Sequence, residues 1–172
     1  MRPSTMRPVN LSVGGLVLAN RVVLAPMSGV TDAPFRRLVA RLGAGLVISE
    51  MTASSALMAG KRGARLRIEA PGGGHPHAVQ LAGCEPRWMA EGARIAAGGG
   101  AALIDINMGC PMRHVTTGWS GSALMRNLDH ALSLVEATVA ASPVPATRRS
   151  SRPPGRRHDR DCASAPSLTS RW

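Results

Sequence analysis

No apolar run in this 172-residue chain reaches the ~18 residues that a membrane helix requires, because Gly, Arg or Asp interrupts each one early. Met1 to Asn10 carries two arginines but no apolar stretch leading to a small-residue cleavage site, so no signal peptide is expected and a cytoplasmic location follows. Cysteine is scarce and scattered. Cys84, Cys110 and Cys162 contain no Cys-x-x-Cys pair, which argues against a zinc site or other metal centre and against a disulfide framework. A cysteine that matters here acts alone, as an acid or a nucleophile. Lysine is nearly missing: Lys61 is the only one, so arginine supplies most of the formal net charge of +11. Such a balance favours polyanionic partners. Nearly half of that charge, however, sits in the last stretch, where Arg148, Arg149, Arg152, Arg156, Arg157, Arg160 and Arg171 face only Asp159 and Asp161.

What is present, from Leu16 to Ala141, is an alternation of strand and helix patterns. Arg21 to Ala25 is a short β-branched run stopped by Pro26. Thr31-Asp32-Ala33-Pro34 places capping residues and a first-turn proline before a helix with Phe35, Leu38, Val39 and Leu42 at helical spacing, ending on Gly43. Leu46 to Ser49 is the second strand, with a short helix around Ser54–Ala59. Residues 61–76 are charged and then rich in Gly and Pro, and are expected to form a surface loop in which His75 and His77 are solvated. Ala78 to Ala82 is the third strand and is followed by a helix from Pro86 to Ala97. Ala102 to Asn107 is the fourth, followed by a long loop to Ser120 and a helix over Asp129–Ala141.

Four βα units in series predict parallel strands with helical crossovers. Runs apolar on both faces suit a sheet buried on both sides. A doubly wound sheet and a (β/α)8 barrel both satisfy this pattern, and since a barrel takes ~250 residues the chain could supply only about half of one. From Ala146 the period stops, and the Arg/Pro/Ser/Ala mixture to Trp172 is disordered by composition. The predicted organisation is therefore a patterned unit over 1–145 and a basic tail over 146–172.

In parallel α/β folds, functional side chains gather at the carboxyl ends of the strands. The strand ends here read Ala-Pro-Met-x-Gly-x-Thr-Asp-x-Pro-Phe-Arg from Ala25, Ser-Glu-Met from Ser49, Val-Gln-Leu-Ala-Gly from Val79 and Asp-Ile-Asn-Met-Gly-Cys-Pro from Asp105. Singly they are weak signals: Cys110 reads as a packed thiol, Gln80 as a satisfied core amide, Met27 as a gap filler. In this order, and with Gly121-Ser-Ala-Leu-Met125, they closely resemble the tRNA-dihydrouridine synthase family, from about Leu11 to Pro145. Asn107 to Pro111 is the most specific part.

The resemblance implies the first four βα units of an FMN-binding TIM barrel that reduces the C5=C6 bond of a uridine in tRNA, with NADPH as reductant. By analogy Cys110 is the general acid that protonates C5, a role that suits a thiol, whose ordinary pKa of about 8.5 leaves it protonated at neutral pH. Pro26, Met27 and Ser28 match the segment that lies along the flavin. Gln80 matches a flavin-contacting glutamine, whose amide both donates and accepts. Asn107 either contacts the uracil or orders the loop. A dihydroorotate dehydrogenase-like FMN barrel would use similar strand-end chemistry on a free pyrimidine, but the Asn-Met-Gly-Cys-Pro loop favours the RNA enzyme. A third, non-enzymatic reading makes the tail an RNA-binding arm on a scaffold fragment.

Several positions depart from the family pattern. His114 stands where lysine is usual, and Trp119 where small residues are usual. Beyond Pro145 the family continues with a lysine-bearing fifth strand, a later histidine and glycine-rich loops for the FMN phosphate. Arg149 falls about where the lysine belongs, in surroundings that do not match. The tail has the composition of GC-rich coding sequence read in a shifted frame. Half a barrel without the phosphate loops is expected to bind flavin weakly or not at all and to aggregate. Sequencing the gene across the codons for Pro145–Arg149 checks the tail: a second frame that restores a lysine-bearing strand and glycine-rich loops is the expected result, and no such frame would make the tail genuine.

Overall fold

The computed structural model describes residues 11–150. Cys162 and most of the expected tail lie outside the described residues. The first element is an antiparallel hairpin, β1 (Leu11–Val13) and β2 (Leu16–Leu18), turned by Gly14 and Gly15 with both φ angles positive. Two successive positive φ values are what a tight hairpin turn needs, and glycine adopts them without a Cβ penalty. The expected alternation begins only at Leu16, so this hairpin is an addition to it.

The sheet is parallel and runs β3 (Val23–Leu24), β4 (Leu46–Ile48), β6 (His77–Ala82), β7 (Leu103–Met108), β8 (Ala146–Ser150), in the order of the chain. The short β5 (Thr52–Ala53) pairs with β6 beyond β4. Ile48 lies opposite Ala78 and Thr52 opposite Leu81, so the β4–β5 side spends one more residue than β6 over the same span. That is a bulge, and it turns Glu50 and Met51 out of the ladder. β8 extends the regular structure past the boundary expected at Ala146. Its residues Ala146 to Ser150 are paired to Ile104 through Met108 by backbone hydrogen bonding, which does not depend on an apolar period.

The helices cover one face. They are α1 (Ala33–Arg41), α2 (Ser54–Met58), α3 (Arg62–Ile68), α4 (Pro86–Gly98) and α6 (Leu128–Ala141), with the short α5 (Arg113–Thr116) and a 3-10 turn (Gly121–Arg126) in the connection after β7. Asp32 caps α1 as its sequence suggests, its Oδ1 accepting from the Phe35 amide at 2.9 Å, with Pro34 in the first turn. Such a cap contributes about 1 kcal/mol. The buried side of α1 is not the apolar stripe, however. Ala33, Arg36 and Ala40 are buried, whereas Leu38 and Leu42 are exposed, because α1 lies at the β3 edge of the sheet.

The segment 61–76 is not all loop. Ala64 and Ile68, four residues apart, are buried in the main core beside Leu57, and the charged residues of α3 take the other side. The connection after β7, expected as loop, likewise contains α5 and the 3-10 turn.

Strand alternation divides the core in two. Val79, Leu81, Ile104, Ile106 and Met108 point toward the helices and pack with Met89, Ala93 and Leu134. Burying a side chain of this size contributes about 1.5–3 kcal/mol. Leu46, Ile48, Ala78 and Leu103 point to the concave face, where Leu18 of the hairpin is fully buried against them. Five successive parallel strands, helices outside and a plugged concave face make this an open half of a (β/α)8 barrel, with β3 and β8 as its two edges.

His77 is a correction to the solvated reading. It is the first residue of β6 and only 2% exposed. Arg36 is fully buried too, donating to the carbonyls of Thr31 and Glu69. Burial first, and the Arg36 cation second, hold the imidazole of His77 below its ordinary pKa. The unfolded chain takes up a proton near pH ~6.5 that the fold resists, so stability is full above that pH and falls as acid is added. The thermal midpoint is expected to drop more between about pH 7.5 and 5.5 in the parent chain than in His77→Gln; equal drops in the two proteins would rule the account out.

Candidate active site

A cleft of about 410 Å³ opens at the carboxyl ends of the strands, lined by Pro26, Ser28, Met51, Gln80, Asn107, Gly109, Cys110, Arg149 and Ser150. Five of the six residues singled out from the sequence meet here, carried by three different strand ends. The sixth, Met27, is not among the lining residues. Its backbone instead anchors the turn after β3: the Thr31 hydroxyl, fully buried, accepts from the Met27 amide at 3.0 Å and donates to the Met27 carbonyl at 3.1 Å. That turn presents Pro26 and Ser28 to the cleft.

The floor of the cleft follows from strand register. Gln80 on β6 lies opposite Asp105 on β7, and Asp105 lies opposite Thr147 on β8. All three side chains share the concave face, and they bond in a row. Gln80 Nε2 donates to Asp105 Oδ2 at 2.6 Å, and Thr147 Oγ1 donates to Asp105 Oδ1 at 3.1 Å. One level higher, Asn107 Nδ2 donates to Gln80 Oε1 at 3.0 Å. Asn107 Oδ1 in turn accepts from the amides of Gly109 at 3.2 Å and Cys110 at 3.0 Å. Of the two readings of Asn107, the geometry displays loop ordering: it closes a turn that holds Cys110 at the rim. These bonds use one N–H of Gln80 and one lone pair of its Oε1, and leave the other of each unused.

Asp105 is only 3% exposed. Burial raises its pKa, against hydrogen bonds from Gln80 and Thr147 and the field of Arg149, which lower it. Cys110 itself is half-buried. Its loop is packed from the far side by Gly121, where a Cβ would come within 2.6 Å of the Cys110 carbonyl oxygen and 2.9 Å of Val115 Cγ1. With φ at +62° as well, that position has room and conformation for glycine alone. The Ser122 amide donates to the same carbonyl at 3.0 Å. Trp119, two residues before Gly121, is exposed and has a positive φ of 54°.

Sequence reasoning missed Met51, Asp105 and Arg149 in this site. Met51 was visible only as the last letter of the Ser-Glu-Met motif, and it arrives through the bulge, which leaves no mark in the sequence. Asp105 was visible only as part of a motif. Arg149 had a signal, its place about where the family carries a lysine, and the parallel pairing of Asn107 with Arg149 brings it to the cleft. Among the described residues no group of His, Cys, Asp and Glu could hold a metal ion, and no helix is long and apolar enough to cross a membrane.

Comparison with known proteins adds the lineage. Solved structures that share the fold include histamine dehydrogenase from Rhizobium sp. 4-9, with a TM-score of 0.58 and 16% identity over 84% of this chain and 34% of that one. A variant of NCR from Zymomonas mobilis matches with a TM-score of 0.58 and 18% identity, over 85% and 59% of the two chains. Such identities speak for the fold alone. In sequence, the chain is 61% identical over 128 residues to a probable tRNA-dihydrouridine synthase of Rhizobium leguminosarum bv. phaseoli, covering 74% of this chain and 40% of the relative. It is 54% identical over 140 residues to a probable tRNA-dihydrouridine synthase of Rhodobacter capsulatus, covering 81% and 43%. The chain thus spans about 40% of the length of these relatives. The family model for dihydrouridine synthase matches residues 23–151, which hold every residue of the cleft, and the chain belongs to that family.

Proposed function

We propose that this chain supplies the uridine-protonating and flavin-facing half of a tRNA-dihydrouridine synthase, working on tRNA in the cytoplasm. The observation that carries the reading is the meeting of Cys110, Gln80, Asn107, Pro26 and Ser28 in one cleft of a chain of this family. The residues present fit FMN in their chemistry. Pro26 has no amide hydrogen and Ser28 is small, so the turn after β3 can approach a flat ring. Gln80 keeps one donor and one acceptor for the ring edge, and the Arg149 cation stands beside it for negative charge. Bound there, FMN reduced by NADPH would supply the hydride for C6 of the uracil. The chain's own part is the proton: Cys110 Sγ–H donates to C5, and the Asn107 turn fixes where the thiol stands.

The phosphate end of FMN has no glycine-rich cradle among the cleft residues, which supports weak flavin binding by the chain alone. The test is therefore a chimera, in which residues 1–150 of this chain are joined to the part of the Rhizobium leguminosarum relative that follows its matched region. Supplied with FMN, NADPH and unmodified tRNA, the chimera is expected to form dihydrouridine, read by mass spectrometry of the digested RNA. Cys110→Ala should lower the rate by about 10²–10⁴-fold, the usual weight of a general acid. A folded, flavin-loaded chimera that forms none, or whose Cys110→Ala variant keeps its rate, would contradict the reading.

A further inference from the structure

The row of side chains under the cleft has a direction, and the direction is set at its buried end. Asp105 has two acceptor oxygens and no donor when ionised, so Gln80 must turn its NH2 toward Asp105 and its carbonyl toward Asn107. Asn107 must then offer its own NH2 to Gln80, which leaves Oδ1 as the group facing the amides of Gly109 and Cys110. Every bond in the row then runs from a donor to an acceptor. Reversed at Gln80, the polarity would put the Asn107 NH2 against two backbone N–H groups, and the turn would lose both bonds. Thr147 holds the second oxygen of Asp105, so the carboxylate cannot rotate away.

We propose that Asp105 is a positioning residue, which orients the Gln80 amide and through it the Asn107 turn that holds Cys110 at the cleft. The assignment rests on the reading of Cys110 as the proton donor, and it uses none of the residues that touch substrate as its first member. Asp105 is buried beneath them. The charged group whose field reaches it is Arg149 on β8, which favours the carboxylate; Gln80 and Thr147, which bond to it, are neutral donors. Protonation of Asp105 turns one of its acceptors into a donor, which permits the reversed polarity. The loop is then coupled to acid, and the raised affinity of this buried carboxyl for a proton brings the effect above the usual carboxylate range.

The test reads the thiol directly and needs no flavin or turnover. In a Cys84→Ser, Cys162→Ser background, the reaction of Cys110 with dithiodipyridine is followed against pH and normalised to N-acetylcysteine. Acidification is expected to raise the normalised rate about fivefold, roughly the equilibrium weight of one ordinary hydrogen bond. Asp105→Asn should be raised and independent of pH, because its amide carries one donor beside one acceptor, as the protonated carboxyl does, and it cannot titrate. Asp105→Leu should be fast already at neutral pH. A flat profile in the parent, or an Asp105→Asn profile that matches the parent, would overturn the assignment. The parent and Asp105→Asn decide it even if Asp105→Leu fails to fold. Failure here leaves the chimera's activity untouched, and an inactive chimera leaves these thiol rates standing, so the two ideas fail separately.

Discussion

The cleft depends on one register: β6, β7 and β8 are paired so that Gln80, Asp105 and Thr147 stand side by side on the concave face. A buried carboxylate is costly unless its oxygens are bonded, and this one is bonded on both sides by neighbouring strands. A slip of one residue in either pairing would send the partner side chains to the helix face and leave Asp105 without them. A slip between β6 and β7 would also remove Asn107 from Gln80 and loosen the Cys110 turn. Strand pairing and site geometry are therefore one constraint.

Around that constraint the sheet separates its tasks. On the face toward the helices, apolar side chains pack with α4 and α6 and carry stability. On the concave face, the amino ends of the strands are apolar and closed by the hairpin, while polar groups begin only at the level of Gln80 and Asp105. Polarity on this face is thus concentrated toward the end of the strands where the cleft opens.

The sequence made the parallel strands, the Asp32 cap and the strand-end motifs legible, since each is written in local residue types. It did not reveal β8, whose Thr147, Arg148 and Arg149 have no apolar period and are held by backbone pairing to β7. Nor did it reveal α3, where only Ala64 and Ile68 face inward among arginines and a glycine. His77 looked solvated because it follows Gly and Pro, yet it begins a strand buried along its whole length. Asn107 was readable as a uracil contact or as the residue that orders the loop, but not for its bond to Gln80, and Asp105 was readable only as a motif letter. Both roles require knowing which strand lies beside which.

The site turns on a few atoms, with the Cys110 thiol at the rim and the Gln80 amide and Asp105 carboxylate side by side beneath it. The most direct check of this account is a side-chain carboxyl NMR titration of Asp105, followed together with the backbone amide shifts of Gly109 and Cys110. The expected result is a carboxyl that titrates above the ordinary range, with both amides moving at the same midpoint. An ordinary carboxylate titration with the two amides unmoved would show that Asp105 is neither buried in this row nor tied to the Cys110 turn.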